Sequence, residues 1–460
     1  MTFNIEYGGT EVDFAKIVEA LRVADPDVVG IEEGEGNIER LATELGWPYF
    51  STRLQLVSKL PLIDPPGADG VYELVEVAPG AVVAIANVHL PSDPYGPYWV
   101  RDGEPLDKVL ELERTTRLAA LQPKLDVLSP VIASGIPALL VGDFNAPTAR
   151  DWADAAVALR PHMRYAVEWP VSVAVEDAGF RDSYRDVHPD PIAEPGLTWW
   201  AGRPLIDGYP DPSEPQDRID LVYAAGAAEA TESVIVGEEG GPGVDIAIPP
   251  PWGTDHRGVM STFRLRPGVP PVLIAVDRRL VRVGDTIDVR FHSGSGLEVR
   301  VVIGAPDGTT SQIVEQRVDV LDGELPIETA GLEAGAYEAR LVEDGRITAS
   351  APFWVAAPDA PVDLRATATR VRTGEPIDVE WSNAPGNRWD WIGLYPRGSD
   401  PNVADYLGYL YTRTAIEGSV TFDAAATEIT WPLPPGEYEV HYLVDDGYRS
   451  IAVAPFTVTR

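Results

Sequence analysis

The chain has 460 residues, 45% hydrophobic and 23% charged, a globular composition that is long enough for about three domains. No run approaches the roughly 18 apolar residues that a spanning helix needs. The absence of Cys excludes disulfides, thiolate metal sites and a Cys nucleophile. Lys and Arg number 36 against 72 Asp and Glu, and the net charge of −36 opposes non-specific binding to nucleic acid or an anionic membrane; it does not oppose a small anion held by a metal.

Met1 runs at once into Thr2–Ile5, which reads as a strand. No basic segment followed by an apolar stretch is present as written. The chain therefore reads as cytoplasmic, or as extracellular if its true start and a signal peptide lie upstream. Asp13–Ala24 places Phe14, Ile17, Val18 and Leu21 on one helical face, with Thr10-x-x-Asp13 as a capping box. Val28–Ile31 is an apolar strand, and Asn37–Leu45 is a second amphipathic helix stopped by Gly46. Further strands are expected at Val82–Val88, Ala138–Val141, Ile219–Ala224 and Val259–Leu265. A long helix from Leu106 to about Leu128, interrupted near Pro123, lies between Val88 and Ala138. Pro189, Pro191, Pro195, Pro204, Pro210, Pro212 and Pro215 make 187–217 loop-like. The alternation of strand and helix indicates an α/β domain over residues 1–266.

After Pro267 the helical period disappears and β-branched and aromatic strands alternate with Gly/Pro turns, the pattern of β-sandwiches. The segment Val281–Val289 (VRVGDTIDV) repeats as Val371–Val379 (VRTGEPIDV). Gly335–Ala339 with Ala351–Val355 likewise repeats as Gly436–Val440 with Ala454–Val458. Two related sandwiches are expected at 270–356 and 361–460, joined by the linker Ala356–Pro361. Residues 1–266 carry 20 basic and 43 acidic residues and the remainder 16 and 29, so the acidity is general and reads as solubility.

Polar residues recur where apolar runs stop. Val28–Ile31 runs into Glu32-Glu33, Val82–Val88 into His89, and Ala138–Gly142 into Asp143-Phe144-Asn145. Asp220 sits in Arg218-Ile219-Asp220-Leu221-Val222, and Thr254-Asp255-His256-Arg257 precedes the last strand. Active sites collect at such strand ends. Oxygen ligands with room for water suit Mg2+, Mn2+ or Ca2+. Carboxylate, imidazole and metal together are equipment for turning water on a phosphoester.

Thr2–Ile5, Gly30–Glu33, Asn87–Leu90, Gly142–Asn145, Arg218–Val222 and Asp255–Arg257 resemble, in order, the motifs of the endonuclease/exonuclease/phosphatase superfamily. That superfamily includes pancreatic-type deoxyribonucleases, abasic-site endonucleases, neutral sphingomyelinases and inositol polyphosphate 5-phosphatases. Val57–Leu62 also looks like its early S-x-x-P segment. The resemblance covers residues 1–266 and implies a four-layered, DNase I-like α/β sandwich and a magnesium-dependent phosphoric ester hydrolase. It implies Glu33 as the principal metal ligand, with Asn4 beside it and Asp255 aiding. Asp143 and Asn145 orient water and a phosphate oxygen. Asp220 fixes the tautomer of His256, and His89 donates to a phosphate oxygen or protonates the leaving group. Whether Asp143 or His256 takes the water's proton stays open. Glu32 stands where the family has Gln, which puts a further negative charge near the metal.

Trp199-Trp200 resembles a segment lining the substrate edge in the nucleases, and Trp199 and Arg257 are the expected substrate-binding residues. Arg53, Arg101, Arg203 and Arg218 are further cleft candidates, and Pro91–Glu104, with Tyr95, Tyr98 and Trp99, is the expected specificity segment. His162, His188, His292 and His441 match no motif and read as surface residues. Asp390–Tyr395 (DWIGLY), with Pro435–Val440 and Pro455–Val458, looks like the SKICH-type immunoglobulin-like domain, an attachment module for a surface, polymer or protein. The resulting expectation is a phosphomonoesterase or phosphodiesterase acting on a small or lipid-linked phosphate. A nuclease, disfavoured by the acidity, is one alternative; an inactive scaffold binding through its sandwiches is the other.

Overall fold

A computed structural model of the chain describes residues 1–460 except 69, 202–214, 295–298, 307–313, 388, 405, 414, 427–428, 430 and 445–446. Arg203, Pro204, Pro210 and Pro212 therefore lie outside the described residues. The chain divides into two compact units, Met1–Leu62 with Val71–Val269, and Ile63–Gly70 with Pro270–Arg460. Among the described residues no helix is long and apolar enough to cross a membrane.

Two sheets organise the first unit. One orders its strands Ile246–Ile248, Ala228–Glu238, Gly258–Leu265, Thr2–Asn4, Val28–Glu32, Leu56–Ser58 and Tyr49–Ser51. The other runs Leu62–Ile63, Glu73–Ala78, Ala81–His89, Ala138–Asp143, Asp220–Ala225 and Phe180–Asp182. Leu56, Ile235 and Val259 of the first share one buried cluster with Val83, Ile85, Val141 and Val222 of the second, so the sheets pack face to face. Asn87 ties them with a polar stitch: its buried amide donates to Ile31 O at 3.0 Å. Helices Phe14–Ala24 and Ile38–Leu45 cover the outside of the seven-stranded sheet, burying Ile17, Leu21, Ile38 and Leu41 against Phe3, Ile5 and Ile31. Helix Ala119–Ala133 buries Leu121, Leu125 and Leu128 and touches strand Ala138–Asp143 of the other sheet. The layering is helix, sheet, sheet, helix, the expected four-layered α/β sandwich.

Two local expectations are corrected. Asp13 itself caps the first helix, accepting from Ala15 N at 2.9 Å, while Thr10 Oγ1 donates to Tyr7 O. The long helix does not break at Pro123. Leu106–Glu113 and Ala119–Ala133 are joined through one wide π turn, Arg114–Leu118. Pro123 lacks an N–H and crowds the carbonyl four residues back. The wide turn lies just ahead of that misfit, within an unbroken helical run. Arg117 of this turn is fully buried, donating to Ser92 O and Pro94 O at 2.6 and 2.8 Å and pairing with Glu113 at 3.1 Å.

The second unit repeats one strand plan twice. Leu273–Val276, Thr286–His292 and Asp322–Glu328 form a three-stranded sheet beside the five-stranded Leu280–Arg282, Arg346–Ala356, Gly335–Glu343, Val299–Gly304 and Val314–Val318. Asp363–Ala366, Ile377–Ser382 and Gly418–Phe422 repeat the first sheet; Arg370–Arg372, Ser450–Thr459, Gly436–Leu443, Trp391–Pro396 and Gly408–Tyr411 repeat the second. Each copy has its own core. The repeated turn places Gly284 and Gly374 at φ +99° and +88°, where a side chain is strained. Asp285 and Glu375 accept from the backbone N–H of Arg282 and Arg372. Tyr337 and Tyr438 donate to the carbonyls four residues earlier, Glu333 and Pro434, both at 2.8 Å.

Candidate active site

Strand register assembles the site. Thr2–Asn4 and Val28–Glu32 run parallel, as do Ala81–His89 and Ala138–Asp143, so Asn4, Glu32, His89 and Asp143 end on one rim. Strand Asp220–Ala225 runs antiparallel and begins there. His89 lies opposite Asp143, and Asp143 opposite Asp220. Gly142, at φ +145°, permits this: a Cβ on it would sit 1.9 Å from Val88 O.

His256 arrives from the turn before Gly258–Leu265. Thr254 Oγ1 donates to Asn4 O and accepts from His256 N, fastening that turn to the first strand. His256 Nδ1 lies 2.9 Å from Asp220 Oδ2, and its Nε2 lies 3.8 Å from both Asp143 Oδ2 and Asp255 Oδ1. His89 Nε2 is 3.7 Å from Asp143 Oδ2. Asn4 Nδ2 links two carboxylates, donating to Glu33 Oε1 at 3.0 Å and to Asp143 Oδ2 at 3.1 Å. The other Glu33 oxygen accepts from Tyr7 N at 3.0 Å. Asn145, at φ +47°, donates its backbone N–H to Asp143 Oδ1 at 2.8 Å, and its side-chain amide reaches Leu90 O and Asp143 Oδ2. Asp143, Asp220 and His256 form the buried floor, and the partly exposed Glu33, His89 and Asp255 edge it.

Burial, then the charge of Asp220, pushes Asp143 up to about 6 against the pull of His256 and His89. Burial opposes a charged His256, but Asp220, Asp255 and Asp143 outweigh it and hold the imidazole well above its ordinary range. Glu32 is pushed well up by burial and by Asp220 and Asp143; both its oxygens accept from Thr2 Oγ1. Among the described residues no Lys or Arg pairs with Glu33, Asp143, Asp220 or Asp255, and Asp220 Oδ1 is buried without a hydrogen-bond partner. Asp143, Asp220 and one ring nitrogen of His256 offer ligand atoms within 4.8 Å of one another, and this carboxylate-rich set with surplus negative charge fits a divalent cation.

The structure brings Asn4, Glu33, His89, Asp143, Asn145, Asp220, Asp255 and His256 together. Trp199 joins them, its Nε1 donating to Asp255 Oδ2 at 3.2 Å. Arg257 does not join. Its guanidinium is buried against Glu238 (Nε to Oε2, 2.9 Å) and the Leu197 carbonyl, because strand alternation turns it away from His256. Arg218 is likewise consumed, pairing with Asp151 and Asp182 at 2.8 and 2.5 Å in full burial. Arg101 pairs with Asp102 and lies over the Tyr98 ring. His441, read as a surface residue, is buried between Glu439 and Ser450.

Sequence reasoning missed three supports. Glu6 accepts from Asp255 N, and Thr198 Oγ1 accepts from the N–H groups of Ile219 and Asp220. Asp217, buried beneath Trp199, is the third. Its one signal was a carboxylate directly before the Arg218-Ile219-Asp220 motif.

The model of the "Endonuclease/Exonuclease/phosphatase family" matches residues 1–256. A Caenorhabditis elegans protein, "Uncharacterized protein F14F9.5", is 28% identical over 252 residues, 49% of this chain and 78% of that protein. An AP endonuclease from Archaeoglobus fulgidus is 14% identical, with a TM-score of 0.33 over 57% of this chain and 98% of its own. An endonuclease/exonuclease/phosphatase from Bacteroides vulgatus is 14% identical, with a TM-score of 0.33 over 58% and 97%.

Proposed function

The chain belongs to the endonuclease/exonuclease/phosphatase family, with its DNase I-like α/β sandwich, and from that premise we propose a divalent-metal-dependent phosphoesterase that directs water at a phosphomonoester or phosphodiester. The carrying observation is the Asp220–His256 pair beside Asp143, with Asn4 bridging Asp143 to Glu33. Glu33 and Asp255 would hold the metal, Mg2+ first and Mn2+ or Ca2+ as substitutes; Asn4, expected beside them as a ligand, turns its amide N–H groups to Glu33 and Asp143 and its oxygen to Glu6 N, and so would steady the carboxylates. Bound there, the metal would supply Lewis-acid polarisation of a phosphate oxygen and favour hydroxide over water.

The chain's own groups do the rest. Asp220 holds the Nδ1 proton of His256, which leaves Nε2 facing the space beside Asp143. Asp143 and His256 handle the water's proton between them. Asn145 fixes the Asp143 carboxylate through its backbone N–H. His89 offers a proton to a phosphate oxygen or to the leaving alkoxide.

A small or lipid-linked phosphate is favoured over nucleic acid. A nuclease tracks the backbone with Arg and Lys. Here Arg218 and Arg257 are spent on internal carboxylates, in a segment with 20 basic and 43 acidic residues. We assign the two C-terminal β-sandwiches, taken as 270–356 and 361–460, an immunoglobulin-like build and an attachment role, without chemistry.

The test is hydrolysis of p-nitrophenyl phosphate and bis-p-nitrophenyl phosphate, with Mg2+ or Mn2+ and with EDTA. Release that EDTA abolishes and metal restores supports the reading. Folded, metal-loaded protein that hydrolyses neither ester but cleaves DNA moves the assignment to a nuclease. Inertness toward all three substrates favours the scaffold.

A further inference from the structure

Three segments that leave the site converge on one buried carboxylate outside it. Asp217 Oδ1 accepts from Trp152 Nε1 at 2.8 Å, in the stretch that follows Asn145. Its Oδ2 accepts from the Tyr95 hydroxyl at 3.1 Å, in the stretch that follows His89. Its backbone exchanges both hydrogen bonds with Trp199, at 2.9 and 3.0 Å. Asp217 is 1% exposed and Tyr95 5%. Such a carboxylate is costly to bury, and two neutral donors only partly offset the cost. A polar network satisfied this way fixes geometry that an apolar contact would leave loose.

What it fixes is the Trp199 indole. The Tyr95 and Trp199 rings meet in a T-shaped contact at 5.6 Å and 74° between planes. Trp199 reaches Asp255 through Nε1, and its ring lies 6.4 Å from that of His256. Tyr95 is pinned from behind: Arg117 of the π turn holds the carbonyls of Ser92 and Pro94, and its guanidinium lies 5.9 Å from the Tyr95 ring. Trp199 is therefore clamped through its backbone by Asp217 and through its ring by Tyr95.

We propose that Tyr95 and Asp217 are a positioning pair. They hold Trp199 as the wall against which the non-reacting substituent of the phosphoester packs, so the segment after His89 sets substrate choice without touching the phosphate. This rests on the phosphoesterase reading above. Tyr95→Phe removes one hydroxyl and keeps the ring. Asp217→Asn leaves a group that cannot accept from both donors.

The experiment uses the full chain labelled with 5-fluorotryptophan, with Trp199→Phe identifying the Trp199 resonance. Tyr95→Phe and Asp217→Asn should each move that resonance. In kinetics, each should lower kcat/KM for bis-p-nitrophenyl phosphate about fivefold to tenfold more than for p-nitrophenyl phosphate, the size of one aromatic contact. Tyr95→Phe added to Trp199→Phe should cost nothing further. A general loss of structure would instead lower both substrates alike. An unmoved Trp199 resonance, or effects of Tyr95→Phe and Trp199→Phe that multiply, overturns the proposal. A responsive resonance in a protein that hydrolyses neither ester supports the pair and sinks the phosphoesterase reading.

Discussion

Asp217→Asn also makes a thermodynamic prediction that needs no substrate. Burial raises the Asp217 carboxyl from 3.8 to about 6 in the folded chain, only partly countered by Trp152, Arg160 and Tyr95. The folded state thus keeps a proton that the unfolded chain releases from about pH 3.8 upward. Across that window the unfolded state binds fewer protons, so the wild type loses stability as pH rises, and the loss is complete above about pH 6. At about 1.4 kcal/mol per pH unit the loss is about 3 kcal/mol. Asn does not titrate and escapes it. The constant cost of the mispaired amide cancels when two pH values are compared. In EDTA, the stability of Asp217→Asn relative to wild type should therefore improve by about 3 kcal/mol between pH 3.5 and pH 7. With a urea slope of about 2–3 kcal/mol per M, the midpoint difference should move by about 1–1.5 M. The measurement is urea unfolding of both proteins at a series of pH values. A difference that stays flat with pH, or drifts toward the wild type, would refute the picture of a carboxylate whose burial outweighs the pull of Trp152, Arg160 and Tyr95.

Glu33→Gln should weaken Mn2+ binding by tenfold or more in calorimetry while leaving the melting temperature within a few degrees, since Glu33 lies on the solvent edge. Asp220→Asn should lower kcat by about 10²–10⁴ with little change in KM, because it disturbs the His256 tautomer and not the substrate contact. Gly142→Ala should abolish folding of the first unit or cost it several kcal/mol, read by circular dichroism, since its Cβ would meet backbone and not a movable side chain. Arg218→Met should cost about 3–5 kcal/mol in urea unfolding by stranding Asp151 and Asp182 in the interior.

The site was legible because strands announce their own ends. An apolar run such as Ala138–Val141 that stops at Asp143 puts a carboxylate at a sheet rim; three such stops, with Asp220 and His256 at the starts of two further strands, define one rim. Arg257 was misplaced because adjacency in sequence was taken for adjacency in space, whereas a period of two sends His256 and Arg257 to opposite faces. Asp217 was not legible, since nothing in a local pattern says that Tyr95 and Trp152 will meet it from 122 and 65 residues away. Pro123 signalled a misfit correctly, but the sequence does not say where a long helix will absorb one.

The duplicated sandwiches separate what the fold requires from what it tolerates. Tyr337 opposite Phe353 matches Tyr438 opposite Phe456, which aligns the two five-stranded sheets residue by residue. Inward positions agree in kind: Val301 and Ile303 correspond to Ile392 and Leu394, each in its own core. Outward positions do not. Where the first copy has Arg300, Glu315, Arg317 and Arg340, with Arg300 paired to Glu315, the second has Trp391, Tyr409, Tyr411 and His441. Trp391 there meets Tyr406, Tyr409 and Tyr448 edge to face at 5.8–6.0 Å. A charged, partly buried face suffices to build this sheet, as the first copy demonstrates. The aromatic cluster of the second copy is therefore an addition to the fold and not a condition of it, and the two copies are not interchangeable as surfaces.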